Sequence, residues 1–222
     1  MSNPTLFYFP VRGRAELIRL ILAEAGLEYA EHPIGKDTPP LHGRPTDFAA
    51  LKASGLLAFE AVPLWEEADG FRLAQSLAIA NHLARQHGLM GKTQREHAQV
   101  EQALGGYEDA RMELRKVATA APAQRSELRE EFVTVVAPRW LGYFEKLLRA
   151  NRDATGFLVG DALSSADLAL WYFVETLEDN GMGAAMAKAP LVAAHFARIG
   201  KRPQIAAYVS SPRRHAFMTM PK

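Results

Sequence analysis

Tyr8 is the residue whose type and position most directly suggest chemistry. It lies in an apolar run over residues 5–9 that is typical of a strand covered on both faces, and a turn containing Pro10 and Gly13 follows. An amphipathic helix begins directly after that turn, and the first turn of a helix has backbone N–H groups without intrahelical partners. The hydroxyl of Tyr8 is therefore expected to point into a region rich in donors, which suits an anion.

Two further segments are candidates for binding. Ser76 is predicted to be the N-cap residue of a helix, and the same helix N-terminus could also bind a carboxylate. Gln75, directly before it, has no evident structural task, which favours a binding role. Val62-Pro63 begins a predicted strand, where a proline removes a ladder donor and indicates an edge, a bulge or a cis bond.

Charged residues elsewhere have a simpler explanation. Lys52 is by default a solvated surface lysine, and the stretch from Glu108 to Arg111 is typical of the solvent-facing side of a long helix. The seven histidines have no convincing ligand spacing, so no metal site is expected. The chain has no cysteine, so any thiol chemistry must use the thiol of a bound molecule.

The elements that must position these residues alternate along the first 90 residues. Strands are predicted over residues 5–9, 28–34, 61–66 and 71–74, and helices over residues 14–25, 47–53 and 76–87. Pro33 places the second strand at an edge, and residues 67–70 predict a hairpin turn. The first helix has an apolar face and an opposite polar side, formed by Arg14, Glu16, Arg19 and Glu24.

The rest of the chain is predicted to be helical. Capping boxes at Thr93–Glu96 and Ser164–Asp167 each open a helix, the first of which runs toward residue 120. Further helices are predicted over residues 126–151, with a kink at Pro138, and over residues 191–199 and 204–210. The basic cluster at residues 213–215 is predicted to be a solvated tail.

The composition is that of an ordinary globular protein, with 48% hydrophobic and 23% charged residues. A formal net charge of +1 gives no indication of nucleic acid or of an anionic membrane as a partner. No apolar run approaches the length of a membrane span, and no charged-then-apolar leader precedes the first strand. We therefore expect a cytoplasmic location.

The run Tyr-Phe-Pro-Val-Arg-Gly-Arg at residues 8–14 resembles the N-terminus of cytosolic glutathione transferases of the catalytic-tyrosine group (alpha, mu, pi and sigma), and is closest to the pi or sigma class. The resemblance covers nearly the whole chain. It implies an α/β plus all-α protein, with a thioredoxin-like βαβ-ββα domain at residues 1–88 and an all-helical domain at residues 89–222 that contributes the electrophile pocket and dimer contacts.

The resemblance also implies a mechanism in which glutathione is the co-substrate and no metal takes part. The Tyr8 hydroxyl would donate a hydrogen bond to the glutathione sulfur, and Arg14 would add positive potential or order the site. Tyr8 would act as a donor and not as a base, because a phenol keeps its proton at pH 7. The thiolate would then be conjugated to a hydrophobic electrophile.

Glutathione would be bound along its length by matching residues. The backbone of Val62, before a cis Pro63, would pair with the cysteinyl part, and Gln75-Ser76 would bind the γ-glutamyl carboxylate. Lys52 resembles the lysine that reaches the glycyl carboxylate. The segment between Lys52 and Pro63 is two residues longer than in the family and lacks its usual glutamine, so a surface lysine stays an open alternative.

The family pattern implies a homodimer, in which Asp109 reaches the glutathione of the partner chain. The electrophile pocket is expected to contain Phe9, Val11, Arg111 and Thr119 by analogy. Two other functions stay open: a glutathione-dependent isomerase or peroxidase on the same fold, and a catalytically silent structural or binding relative.

Overall fold

The computed structural model of the chain describes residues 3–35, 43–151 and 156–217, and most of the loop predicted over residues 35–44 lies outside this range. The described residues group into two units. The first contains the residues up to Leu83 together with the C-terminal segment 207–217, and the second contains residues 84–206. The domain boundary at residue 88 stays a prediction. No pattern in the sequence indicated that the C-terminal segment groups with the first unit.

The first unit contains a four-stranded sheet. Its strands are β1 (Thr5–Tyr8), β2 (Ala30–Pro33), β3 (Leu64–Glu66) and β4 (Arg72–Ala74). They are ordered β2-β1-β3-β4, with β1 parallel to β2 and antiparallel to β3, and with β3 antiparallel to β4. Each strand lies inside a predicted run but is shorter, and β2 is at the edge, as Pro33 predicted. This is the predicted thioredoxin-like arrangement.

The helices of this unit begin close to their predicted positions. They are α1 (Glu16–Glu24), α2 (Phe48–Ala53) and α3 (Ser76–Gln86). A 3-10 turn at Gly13–Ala15 precedes α1, and the side chain of Asp47 caps α2 by accepting from the N–H of Ala50 at 3.0 Å. The carbonyl of Gln75 accepts the first helical bond of α3, from the N–H of Ile79 at 3.0 Å. The predicted N-cap was therefore wrong by one residue: Gln75 is the N-cap, and Ser76 is the first helical residue.

Two of the four residues on the predicted polar side of α1 are buried. The exposed fraction is 0% for Glu16 and 1% for Arg19. Both side chains form ion pairs inside the first unit, with partners far away in the sequence. The helical period identified the charged side correctly, but it carries no information on whether other parts of the chain cover that side.

In its described residues, the regular secondary structure of the second unit is helical. Its α-helices are α4 (Gln94–Thr119), α5 (Pro122–Glu131), α6 (Ala137–Ala150), α7 (Ser165–Asp179) and α8 (Pro190–Gly200), and α9 (Pro203–Val209) runs into the C-terminal segment. α4 packs against α7, and α8 packs against both α6 and α7. No helix of the described residues is long and apolar enough to cross a membrane.

The long helix predicted over residues 126–151 is divided. A π-helical segment at Phe132–Val136 joins α5 to α6, and the N–H of Ala137 donates to the carbonyl of Phe132. Pro138 follows at once, where it has no N–H to donate and its ring would clash with the carbonyl four residues earlier. The wider π turn directly before the proline explains why the chain continues as a helix. A 3-10 segment at Gly183–Lys188 was not predicted.

Both predicted capping boxes are present, and they differ in burial. The box of α4 pairs Thr93 with Glu96 in an exposed position. In the box of α7, the N–H and the hydroxyl of Ser164 donate to the Asp167 carboxylate at 2.8 and 2.7 Å. That carboxylate is fully buried, and it also accepts the N–H of Leu158 at 2.8 Å and contacts His195 Nε2 at 2.9 Å. The α7 box therefore anchors a loop and a second helix.

We expect Ser164→Ala to lower the free energy of unfolding by about 1–2 kcal/mol, because it removes a buried hydrogen bond together with a cap. Thr93→Ala is the matched control and should cost about 0.5–1 kcal/mol, since water can replace the exposed cap. Urea denaturation followed by circular dichroism measures both values. Equal costs at the two positions would contradict the role given to burial.

Candidate functional site

The register of the sheet brings three of the predicted segments to one end. Phe7 pairs with Leu64, and Leu64 pairs with Ala74. Hence the last residue of β1 and the residues just before β3 and just after β4 lie side by side at one end of the sheet. These residues are Tyr8, Val62-Pro63 and Gln75-Ser76. Three segments that are separated in the sequence thus lie at a single edge of the sheet.

Tyr8 is held there by the turn that follows it. Its side chain is 7% exposed, and its oxygen accepts the backbone N–H of Arg14 at 2.9 Å. Gly13 lies against the same hydroxyl with a φ of +44°, so that a Cβ at this position would be 2.6 Å from the Tyr8 oxygen. Because the oxygen is fixed by an incoming N–H, the hydroxyl proton is left as a donor for an anion. The sequence prediction of a donor-rich surrounding is in accord with this geometry.

Gln75 has a backbone conformation that is rare for its residue type. Its φ is +74°, in the left-handed region, which side chains other than glycine seldom adopt. Such a conformation costs of the order of 1–3 kcal/mol and occurs mostly where the surrounding structure enforces it, often at binding sites. It places Gln75 directly before the first turn of α3, with its unpaired backbone donors. This geometry favours the binding role predicted for Gln75-Ser76.

The peptide bond between Val62 and Pro63 is cis, as the resemblance implied. Val62 packs against an apolar cluster of the first unit, and Phe9 is half-buried against the same cluster. The buried members of that cluster are Phe7, Ile34, Leu51, Leu57 and Leu64. The ring of Phe9 lies 5.4 Å from that of Phe48 and 5.6 Å from that of Tyr8. Phe9 is thus part of the packing that fixes this end of the sheet.

Lys52 has a partner that the sequence did not indicate. Its ammonium lies 3.1 Å from the carboxylate of Glu60, and the two side chains are 38% and 72% exposed. An exposed pair of this kind contributes about 0–1 kcal/mol, so a competing carboxylate can displace Glu60. The segment between Lys52 and Pro63, which is longer than in the family, therefore provides a carboxylate to Lys52. A carboxylate is also the group that the resemblance assigns to Lys52 as its ligand.

Arg19 supports the turn from the inside. Its Nη1 donates to the carbonyl oxygens of Val11 at 2.9 Å and Arg12 at 3.3 Å, while its Nε and Nη2 form a two-point pair with Glu31 at 2.7 and 3.1 Å. Burial by itself lowers the pKa of Arg19, but the hydrogen bond and charge of Glu31 and the charge of Glu16 outweigh it and raise the pKa. The guanidinium is therefore charged despite its burial.

Glu16 connects this arginine to the C-terminal segment. Its carboxylate accepts from Arg214 Nε at 2.9 Å and from the hydroxyl of Tyr208 at 3.1 Å, and it lies 3.5 Å from Arg19 Nη1. The side chain of Arg214 is 5% exposed. The solvated tail predicted at residues 213–215 was therefore wrong for Arg214, because a buried carboxylate binds it.

The same segment reaches the turn at a second point. Arg12 Nε donates to the carbonyl of His215 at 3.1 Å, and its guanidinium lies 5.5 Å from the ring centroid of Phe217. Burial, followed by the charge of Arg19, lowers the pKa of His215 below its ordinary value. The imidazole of His215 is therefore neutral at pH 7, which avoids repulsion from the charge of Arg19.

The predicted residues of the second unit lie on α4. Asp109 is exposed. Arg111 forms a two-point pair with Glu108 at 2.8 and 2.9 Å, and the Thr119 hydroxyl donates to the carbonyl of Arg115 at 2.9 Å. The roles predicted for them stay predictions. Within the described ranges, no three His, Asp or Glu side chains are grouped so as to hold a metal ion.

Sequence reasoning gave no part in the site to four residues of this region: Gly13, Glu16, Arg19 and Glu60. Gly13 left a signal, since a glycine between two arginines directly before a helix indicates a turn that needs close backbone approach. Glu16 and Arg19 left only the spacing of an i,i+3 charge pair, which is typical of an exposed helix surface. Glu60 gave none.

Comparison with known proteins covers both halves of the chain. The model of the glutathione S-transferase N-terminal domain matches residues 4–85, and that of the C-terminal domain matches residues 108–212. Glutathione S-transferase A1 of Bos taurus is 34% identical over 207 residues, which cover 92% of this chain and 86% of that protein. Glutathione S-transferase P of Capra hircus is 34% identical over 212 residues, covering 96% and 94%. A crystal structure of a glutathione S-transferase from the hookworm Necator americanus matches with a TM-score of 0.83 at 28% identity, covering 97% of this chain and 100% of that one.

We expect Gly13→Ala to lower the free energy of unfolding by about 1–3 kcal/mol, because the new methyl group meets the Tyr8 hydroxyl in a backbone conformation that disfavours side chains. The same substitution in a Tyr8→Phe background should cost measurably less, since the closest atom is then absent. A double-mutant cycle by urea denaturation measures the coupling. Additive effects of the two substitutions would contradict the contact.

Proposed function

Because the chain belongs to the glutathione S-transferase family, whose members are enzymes, we propose that it activates glutathione through Tyr8 and joins it to hydrophobic electrophiles. The observation that carries this proposal is the Arg14 N–H bound to the Tyr8 oxygen, which orients the hydroxyl and leaves its proton as a donor. Detoxification of reactive compounds in the cytoplasm is the role that the proposal implies.

The chemical task is to make a thiolate at neutral pH. A free thiol has a pKa near 8.5, so only a few per cent is ionised at pH 7, and the thiolate is the nucleophile. A hydrogen bond from Tyr8 to the sulfur favours the charged form and lowers the pKa of the bound thiol. Each pKa unit of that lowering corresponds to about 1.4 kcal/mol of preference of the site for the thiolate over the thiol.

The reaction then follows from the thiolate. The thiol proton passes to solvent, and the sulfur electron pair forms a carbon–sulfur bond with the electrophile. In a substitution the leaving group departs with the electrons of its own bond. In an addition the electron pair of the attacked double bond moves away from the attacked carbon onto the rest of the electrophile, which then takes up a proton from solvent. Tyr8 acts only as a hydrogen-bond donor in this scheme, and Arg14 is proposed to add positive potential or to order the site.

The rest of glutathione is proposed to lie along the same end of the sheet. The α3 N-terminus and the strained backbone of Gln75 support binding of the γ-glutamyl carboxylate at Gln75-Ser76. Val62 lies at the same end of the sheet as Tyr8, and this position supports backbone pairing of Val62 with the cysteinyl part. Lys52 would bind the glycyl carboxylate in competition with Glu60, which already offers it a carboxylate.

We expect Tyr8→Phe to lower turnover by about tenfold or more near neutral pH, while the affinity for glutathione and the fold are retained, because only the hydrogen bond to the sulfur is lost. Conjugation of glutathione to a generic aryl halide, followed by absorbance, measures the effect with the unaltered chain as reference.

Each other outcome has a defined meaning. Equal turnover of the two proteins would contradict the role of Tyr8 and direct attention to Arg14. An unaltered chain that binds glutathione without conjugation would favour an isomerase or peroxidase. A chain that does not bind glutathione would favour a silent structural or binding relative.

We further propose a homodimer in which Asp109 of each chain completes the site of the other. Exposed large apolar side chains support association, since Phe59 is 66% exposed, Phe71 44% and Met112 39%. The hookworm protein compared above is described as monomeric. The oligomeric state therefore has to be measured on this chain.

We expect Asp109→Asn to raise the KM for glutathione by about fivefold, because a charged partner is lost. Mixed dimers of Asp109→Asn and Tyr8→Phe chains should regain one intact site, with half the activity and the KM of the unaltered enzyme. Sedimentation establishes the dimer, and the two pure variants are the controls. A monomer, or a mixture that shows only the average of the two variants, would contradict the shared site.

A further inference from the structure

The side chain of Arg19 is a buried cation that binds two backbone carbonyls of the turn after Tyr8 as well as two carboxylates. It is 1% exposed, and its guanidinium binds Glu31 at two points and the Val11 and Arg12 carbonyls through Nη1. A buried charge with this many fixed partners has little freedom to reorient. The proposed reaction gives Arg19 no role, so its placement needs an explanation.

The two carbonyls belong to the turn that holds the Tyr8 hydroxyl. Val11 and Arg12 directly precede Gly13, which lies against the Tyr8 oxygen, and Arg14, which donates to it. The N–H of Val11 also donates to the carbonyl of Phe9 at 2.7 Å, so the turn is tied at its start as well. If Arg19 released the carbonyls, the bond between the Arg14 N–H and the Tyr8 oxygen would lose its support from the far side of the turn.

Arg19 also acts on Tyr8 through its charge. Its guanidinium carbon lies 5.9 Å from the centroid of the Tyr8 ring. A cation at this distance from an aromatic ring is attracted to its π electrons. The contact therefore helps to hold the ring of Tyr8 in place, in addition to the bonds that hold the turn.

We propose that Arg19 is a positioning residue for thiol activation: it holds the turn at residues 11–14 so that the Arg14 N–H fixes the Tyr8 hydroxyl toward the glutathione sulfur. This inference rests on the proposed function. If Arg19 were only a structural member of the ion-pair network, replacing it would change stability and leave the ionisation of bound glutathione unaltered. A positioning role predicts that the ionisation changes as well.

Arg214 provides a matched control. It is also a buried arginine, with 5% exposure, and it binds the same Glu16 carboxylate at 2.9 Å. Its guanidinium also lies 5.8 Å from the ring centroid of Tyr208, which binds the same Glu16 carboxylate. Arg19→Lys and Arg214→Lys both keep the positive charge, and both replace a planar fork by a single nitrogen that cannot bridge several acceptors.

The test is the pH dependence of kcat/KM for glutathione conjugation in the unaltered enzyme and the two lysine variants, together with thermal unfolding. We expect Arg19→Lys to move the profile to higher pH by about one unit. At pH values below the transition, kcat/KM should then fall by about tenfold. The KM for glutathione should change by less than about twofold. Arg214→Lys should lower the unfolding temperature to a similar extent and leave the profile in place.

An unshifted profile for folded Arg19→Lys would overturn the inference, and so would an equal shift in both variants. Those results leave the proposed function intact, because the unaltered enzyme is active in the same assay. An unaltered chain without activity and without bound thiolate in its ultraviolet spectrum would overturn both the proposed function and the role of Arg19.

If Arg19→Lys does not fold, Glu31→Gln is the second variant. It weakens the alignment of the same guanidinium, and it should shift the pH profile in the same direction by a smaller amount. An unshifted Glu31→Gln profile would then overturn the inference.

Discussion

Pairing of the buried charges on α1 is the constraint on which the rest of the first unit depends. Glu16 and Arg19 are almost completely excluded from water, and each unpaired ion would cost several kcal/mol. Their partners are Glu31 on β2 and Arg214 in the C-terminal segment, at positions far apart in the chain. The pairing therefore fixes three parts of the chain against one another, and the turn after Tyr8 lies among them.

The candidate site is built at the place where regular structure ends. Strand β1 stops at Tyr8, β3 begins after the cis bond at Pro63, and β4 stops before Gln75. Backbone groups beyond these ends are not used by the sheet, and the N–H groups in the first turn of α3 have no partner within the helix. The left-handed conformations at Gly13 and Gln75 are local costs that bring backbone donors to this edge. The same edge thus combines an oriented hydroxyl with a helix N-terminus.

Much of the fold could be predicted from local patterns. The alternation of strands and helices, the edge position of β2 and the two capping boxes follow from periodicity, Pro33 and the Thr93 and Ser164 motifs, because each depends on residues close in sequence. The π-helical segment before Pro138 and the N-cap at Gln75 were missed. Pro138 did predict an interruption, and Gln75-Ser76 did predict the start of a helix. The backbone conformation at each place depends on hydrogen bonds that the residue types do not specify.

The sequence by itself determined which side chains are candidates for the chemistry, namely a tyrosine beside a helix start and a Gln-Ser pair at the start of another helix. It also has no cysteine, so any thiol must come from a bound molecule. Tertiary structure alone decided how these groups are held. Arg19 appeared as part of a polar helix side and Arg214 as part of a solvated tail, because helical period and charge report only on the segment itself. Burial arises when distant segments cover one another, and the need to pair buried ions then selects partners that local sequence does not reveal.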